Sequence, residues 1–214
     1  MTTKEFEKGI GELLKNMSFT KKKYYFVMKI NNNIFGLIGF GSVFHQIQGT
    51  LIVHPTVGIY NKLVDDIFRQ LLEIDGNSYF QPIINTSIGY LTPQNDYKEW
   101  IVNDENVDLA NLELKDVIKT YGLPFIEKYQ NPDELLKCIE EAKYILSENR
   151  DYDLPIMYYL NGNKQKGIHF IEERIEKQKK QLSDNKITKS APVLSKEIIN
   201  PTYLRYYENF KAMK

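Results

Sequence analysis

The chain has 214 residues, 42% of them hydrophobic, with 28 Lys and Arg against 28 Asp and Glu and a single cysteine, Cys138. That balance excludes disorder along most of the length, the lone cysteine excludes an intramolecular disulfide and the usual zinc clusters, and net neutrality argues against nonspecific DNA binding. The neutrality hides a polarised chain, since residues 101–160 hold 13 acidic against 6 basic side chains and residues 161–214 hold 6 against 12.

The first predicted element is a helix from Thr2 to Met17, because Phe6, Ile10, Leu13, Leu14 and Met17 share one face and Thr2 with Glu5 forms a capping box. Gly9 and Gly11 weaken it intrinsically, so packing must hold it. The Lys21–Lys23 run reads as a solvated approach to a sheet. Strands are expected over Tyr24–Ile30, Ile34–Val43 and Thr50–Tyr60. The first two are joined by Asn31–Asn33, a turn expected to exploit the tolerance of asparagine for positive φ. Pro55 cannot donate to a ladder, which places it at a bulge or an edge. A helix over Asn61–Ile74 and strands over Ile83–Leu91 and Tyr97–Val102 complete a sheet of about five strands.

After Trp100 the periodicity turns helical. Helices are predicted over Val107–Tyr121 and Pro132–Leu146, the second with Pro132 at its first position and Asp133 and Glu134 in its first turn. Leu154–Leu160 and Lys164–Leu182 form a hairpin around Asn161–Asn163, Ser183–Ser195 reads as a linker, and a last helix runs from Pro201 to Met213. The fold class is α+β: an antiparallel sheet packed by helices, followed by an antiparallel helical layer. The expected divisions are a sheet-containing half at 1–105, a helical half at 106–182, and a linker with C-terminal helix at 183–214.

No catalytic signature emerges. Gly36, Gly39 and Gly41 stand in the order GxxGxG with no P-loop lysine, and the partial RNA-recognition pattern around Phe40 lacks its basic residue and its outer aromatics. Ser42 lacks the second glycine of a nucleophile elbow. His45, His54 and His169 show no metal-ligand spacing, so neither a metal nor a cofactor is expected. The consecutive carboxylates Asp65/Asp66, Glu140/Glu141 and Glu172/Glu173 point about 100° apart on a helix. Asp151 and Asp153 are explained as N-caps ahead of Leu154, and Lys177, Lys179 and Lys180 as a solvated helix face. Cys138 shares a helix face with Leu135, Ala142 and Ile145 and reads as a small buried hydrophobe.

Phe6 to Met17, the Phe19–Lys22 step into Tyr25 and Phe26, the Ile88–Leu91 strand with Trp100 beyond it, and Leu123-Pro124-Phe125 before helices together carry a resemblance. Over most of residues 1–180 the chain resembles an uncharacterised bacterial domain-of-unknown-function family with immunity-protein-like members. That resemblance implies a toxin-neutralising binding protein and brings no catalytic residues with it. Bacterial origin also fits the richness in Asn, Lys and Ile, and a cytoplasmic location fits the absence of an apolar leader or membrane span. The leading expectation is therefore a non-catalytic protein-binding protein whose partner is steered by Asp104, Glu105 and Asp108. A small-ligand or nucleic-acid module, and an enzyme with a site invisible in sequence, remain as alternatives. Partial neutralisation of the acidic helices by the basic C-terminal helix is a further expectation.

Overall fold

The computed structural model describes residues 3–44, 49–76, 80–185 and 200–214. It is an α+β protein whose contacts form two compact units: residues 1–62 with 78–145, and residues 63–77 with 146–214. Those borders fall elsewhere than 105 and 182, because the helices directly after the sheet cluster with the sheet.

The first unit is built on a six-stranded antiparallel sheet. Helix α1 (Thr3–Lys15) precedes β1 (Thr20–Lys22), β2 (Tyr25–Lys29), β3 (Ile34–Phe44) and β4 (Leu51–Asn61), then come β5 (Ile84–Ser87) and β6 (Trp100–Val102). The order is β1-β2-β3-β4-β5, with β6 pairing β4 farther along the same strand. β1 coincides with the lysine run expected to be solvated. Its side chains are exposed as anticipated, but its backbone pairs with β2 through Thr20 and Val27, and charged side chains on an outermost strand discourage further pairing.

The turn between β2 and β3 works differently from expectation. None of Asn31–Asn33 has positive φ; instead the Asn31 side-chain oxygen accepts from the backbone N–H groups of Asn33 and Ile34, both at 2.8 Å. This is an Asx-turn, so the asparagine contributes its acceptor rather than its conformational tolerance. Pro55 lies in β4 between the segment paired with β6 (Leu51–Val53) and the segment paired with β5 (Thr56–Ile59). A residue without an N–H therefore sits where the ladder on that side is interrupted.

One sheet face carries the main core. Phe6, Ile10 and Leu14 of α1 are fully buried, and Phe40 meets Phe6 and Phe26 edge to face at 5.5 and 5.8 Å. Gly36 exists because Ile126 lies directly over it: a Cβ there would stand 2.7 Å from the isoleucine side chain. Helix α3 (Val107–Val117) runs through a π-turn (Ile118–Gly122) into α4 (Leu123–Tyr129). The expected stop at Gly122 and Pro124 is thus absorbed, since a widened turn can accommodate a residue that lacks an N–H. Helix α5 (Pro132–Glu140) begins as anticipated, Asn131 accepting from the N–H groups of Asp133 and Glu134. It ends before Leu146, however, as Ala142 and Tyr144 take positive φ. On the other sheet face Val27, Leu37 and Tyr60 form a smaller cluster with Tyr25, Phe35 and Phe80.

The second unit comprises most of α2 (Lys62–Leu72), with α6 (Ser147–Leu160), α7 (Lys164–Asn185) and α8 (Pro201–Ala212). α6 starts seven residues before the predicted Leu154 and contains Pro155 in its interior. The proline leaves the Asp151 carbonyl without its helical donor. Tyr203 of α8 donates its hydroxyl to that carbonyl at 3.3 Å, and Tyr206 donates to the neighbouring Tyr152 carbonyl at 2.6 Å. Asp151 and Asp153 are consequently interior helix residues rather than N-caps. The C-terminal helix is fastened mainly by burial of Tyr203, Tyr206 and Phe210. Arg205 and Asn209 add side-chain donors to the last carbonyls of α2, Leu72 at 3.3 Å and Leu71 at 2.8 Å. The stretch read as a linker, Ser183–Ser195, begins inside α7, which continues to Asn185, and the rest of it lies outside the described residues.

Candidate functional site

The three acidic residues singled out by sequence lie together where β6 passes into α3. An asparagine pair builds the connection: Asn103 Oδ1 accepts from the N–H groups of Glu105 and Asn106 at 3.0 and 3.1 Å, and Asn106 Oδ1 accepts from the N–H of Asn103 at 2.8 Å. Asn106 Nδ2 also donates to the Ile101 carbonyl at 2.9 Å. This reciprocal turn fixes the start of α3, so Asp104, Glu105 and Asp108 emerge from backbone of defined geometry.

Helical period then sorts α3. Ala110, Asn111 and Leu114 are buried, whereas Glu105, Asp108, Leu109, Leu112, Glu113 and Asp116 are all exposed. Their spacing places two leucines within an acidic stripe. Leu109 and Leu112 are 62% and 49% exposed. The stripe combines a steering field with apolar area, which is the composition of a protein contact surface. Sequence reasoning identified the acids and overlooked the leucines, because a helix read by periodicity alone is expected to bury them.

A second exposed group occupies the outward face of the sheet. The Tyr97 hydroxyl is 2.5 Å from His54 Nδ1, the two rings stack at 5.1 Å, and Glu99 Oε1 lies 3.8 Å from the same nitrogen. Tyr90 is 6.5 Å from Tyr97 and tilted by 44°. Partial desolvation, then Glu99 and Tyr90, hold the Tyr97 hydroxyl above its ordinary pKa. The strand predicted over Ile83–Leu91 stops at Ser87 and continues as a 3-10 turn over Ile88–Leu91, which is what brings Tyr90 to this surface. Gly89 lets the Asp96 carbonyl and the Lys98 N–H lie against its bare Cα. Gly89→Ala should therefore destabilise the protein by about 1–3 kcal/mol. Thermal unfolding, with NMR resonances of Tyr97 and His54 as local reporters, measures that effect.

The remaining candidates have structural roles. Cys138 is buried, its Sγ donates to the Lys143 carbonyl at 3.3 Å, and burial pushes its thiol up to about 11, so it is neutral near pH 7. Burial likewise raises Tyr129, whose hydroxyl bonds the Cys138 sulfur. Phe40, the aromatic of the partial nucleic-acid pattern, turns its ring to Phe6 and Phe26. Ser42 pairs with Val53 within β3, in no elbow, and His45 lies outside the described residues. His169 makes an exposed i,i+4 pair with Glu173 at 3.2 Å. Lys177, Lys179 and Lys180 are exposed, and Lys179 pairs with Glu176 at 2.5 Å. Among the described residues no three His, Cys, Asp or Glu side chains converge as metal ligands would. Among them, too, no helix is long and apolar enough to cross a membrane.

A carboxylate pairing that no local spacing could reveal occurs in the second unit. Asp153 of α6 feels the charge of Asp65 on α2, and desolvation first, with that repulsion second, pushes its carboxyl up to about 8. The residue retains some surface, yet packed helices surround the carboxyl group itself. Its neighbour Asp151 is held by Arg174 through Nε–Oδ1 at 2.7 Å and Nη2–Oδ2 at 2.8 Å. That arginine comes from α7 and not from the C-terminal helix expected to supply it, where Arg205 donates to the Leu72 carbonyl and Lys211 pairs with Glu208 of its own helix.

No family model, no curated protein and no solved structure matches this chain.

Proposed function

We propose that the chain is a non-catalytic protein-binding protein that docks a basic partner on the acidic, leucine-bearing face of α3. The observation that carries this reading is the alternation of exposed Leu109 and Leu112 with Glu105, Asp108, Glu113 and Asp116 along one helix face. Carboxylates of one sign accelerate encounter with a basic surface, and the leucines supply the area whose desolvation holds the complex. The resemblance to immunity-type families suggests the biological form of such binding, the neutralisation of a basic toxin in the cytoplasm of a bacterial cell.

The test compares two baits in the source cells: the natural chain and one carrying Leu109→Arg with Asp108→Lys, both sites exposed enough to leave the fold intact. The reading expects a basic protein on the natural bait, released by raised salt and at least about tenfold depleted on the altered one, as loss of about 1.4 kcal/mol would produce. Recovery of the same proteins by both baits, or of salt-insensitive partners alone, contradicts it.

A further inference from the structure

We infer that Tyr90, Tyr97, His54 and Glu99 form a second recognition site, one that seats the guanidinium of an arginine side chain presented by another polypeptide.

The argument starts from the strand. Val53 pairs with Trp100 and Ile52 with Ile101, so the next position of β4, His54, comes opposite Glu99. Trp100 and Val102 are buried while Ile101 is exposed. Side chains alternate along a strand, which puts Glu99 and Ile101 on the outward face. Tyr97 joins them there, because its ring stacks on His54 and its hydroxyl bonds His54 Nδ1. Histidine thus covers one face of the tyrosine ring and leaves the rest open. Tyr90 and Tyr97 remain 46% and 48% exposed, their rings at an angle that forms a corner.

Exposed aromatic rings are usually mobile, but the Tyr97 ring is held by His54 and the backbone that carries both rings is fixed. Asp96 Oδ1 accepts from the Tyr97 N–H at 2.7 Å, Thr92 Oγ1 donates to the Gly89 carbonyl at 2.8 Å, and Asn95 adopts a positive φ of 49° to close the turn. Rigid aromatic area that stays in solvent lowers the ordering cost of binding. The chemistry of the corner selects its ligand: two electron-rich ring faces and one carboxylate attract a cation, and a planar guanidinium can stack on a ring while it bonds a carboxylate.

This site uses no residue of the α3 face, so it stands or falls separately from the proposed function. The probe is acetylated triarginine amide, titrated into the whole chain while the ring resonances of Tyr90, Tyr97 and His54 are followed by NMR. Trilysine and tricitrulline serve as the comparisons, citrulline having the shape of arginine without its charge. Saturable shifts of these rings with triarginine, several-fold weaker with trilysine and absent with tricitrulline, are expected. Glu99→Gln should weaken triarginine binding by about fivefold, and Tyr90→Ala by a similar factor, whereas Leu109→Arg with Asp108→Lys should leave the ring shifts intact. Equal response to tricitrulline, equal affinity for trilysine, or unchanged binding by Glu99→Gln with a native spectrum would overturn the assignment. Ring shifts abolished by the α3 substitutions would do so as well.

Discussion

Replacing Asp153 with asparagine should stabilise the second unit, and the gain should grow with pH. The folded carboxyl holds its proton up to about 8, while the same group in an unfolded chain ionises near 4. A raised carboxyl pKa means that the folded state binds the proton more tightly. Its favourable contribution is therefore complete below the unfolded value, declines as pH rises through the interval, and is lost above the folded value. Each unit of difference corresponds to about 1.4 kcal/mol. Partial exposure moderates the sum, so the variant should gain about 2–4 kcal/mol between pH 5 and pH 8. Asparagine suits the position because its amide donates as the protonated acid does and carries no charge toward Asp65. Hydrogen exchange of the α6 and α8 amides at both pH values reads this directly. A pH-independent effect, or destabilisation throughout, would show that Asp153 is ionised in the folded protein.

Truncating Tyr206 to alanine should cost the second unit about 3–5 kcal/mol. The ring is fully buried, meets Tyr152 edge to face at 5.0 Å, and gives its hydroxyl to the Tyr152 carbonyl. Tyr206→Phe keeps the ring and should cost about 0.5–1.5 kcal/mol, the loss of one hydrogen bond to a carbonyl that also has a helical donor in Ile156. Tyr203→Phe should cost at least as much: its hydroxyl bond is longer, at 3.3 Å, but the Asp151 carbonyl has no helical donor to replace it. The cause upstream is Pro155. In a Pro155→Ala background the backbone regains the donor for Asp151, so the penalty of Tyr203→Phe should shrink, and a double-mutant cycle by chemical denaturation would detect that coupling. Penalties that simply add would separate the tyrosine from the proline.

The same proline explains where sequence reading stopped short. Taken locally, Asp151 and Asp153 ahead of Leu154-Pro155 look like a capped helix start; the donor that replaces the missing proline N–H is the distant hydroxyl of Tyr203. Helix α1 was legible because Phe6, Ile10 and Leu14 repeat at the helical period and nothing remote overrides them. Helix α5 was legible at its start for a local reason also, Pro132 at its first position with Asp133 and Glu134 in its first turn. Its early end was not, since Ala142 and Tyr144 take positive φ although neither residue type favours it. Likewise, Ile88-Gly89-Tyr90-Leu91 has strand composition, yet the closeness of Asp96 and Lys98 to Gly89 bends it into a 3-10 turn.

The surfaces divide in a similar way. Asp104, Glu105 and Asp108 were visible as a charge excess within thirteen consecutive residues, 104–116, that hold five acids and one lysine. The exposed leucines between them became meaningful only once α3 had been oriented by Ala110 and Leu114. His54 and Tyr97 stand 43 residues apart and meet only through strand register. No motif connects them, because a contact made across a sheet depends on pairing rather than on spacing.

The most direct measurement is the salt dependence of affinity between this chain and the basic partner recovered on the natural bait. It should be made for the natural sequence and for a chain carrying Asp108→Asn with Glu113→Gln. Docking on α3 predicts an affinity that falls steeply with ionic strength and a clearly shallower fall after the two carboxylates are neutralised. Identical salt slopes for the two chains would contradict docking on that face.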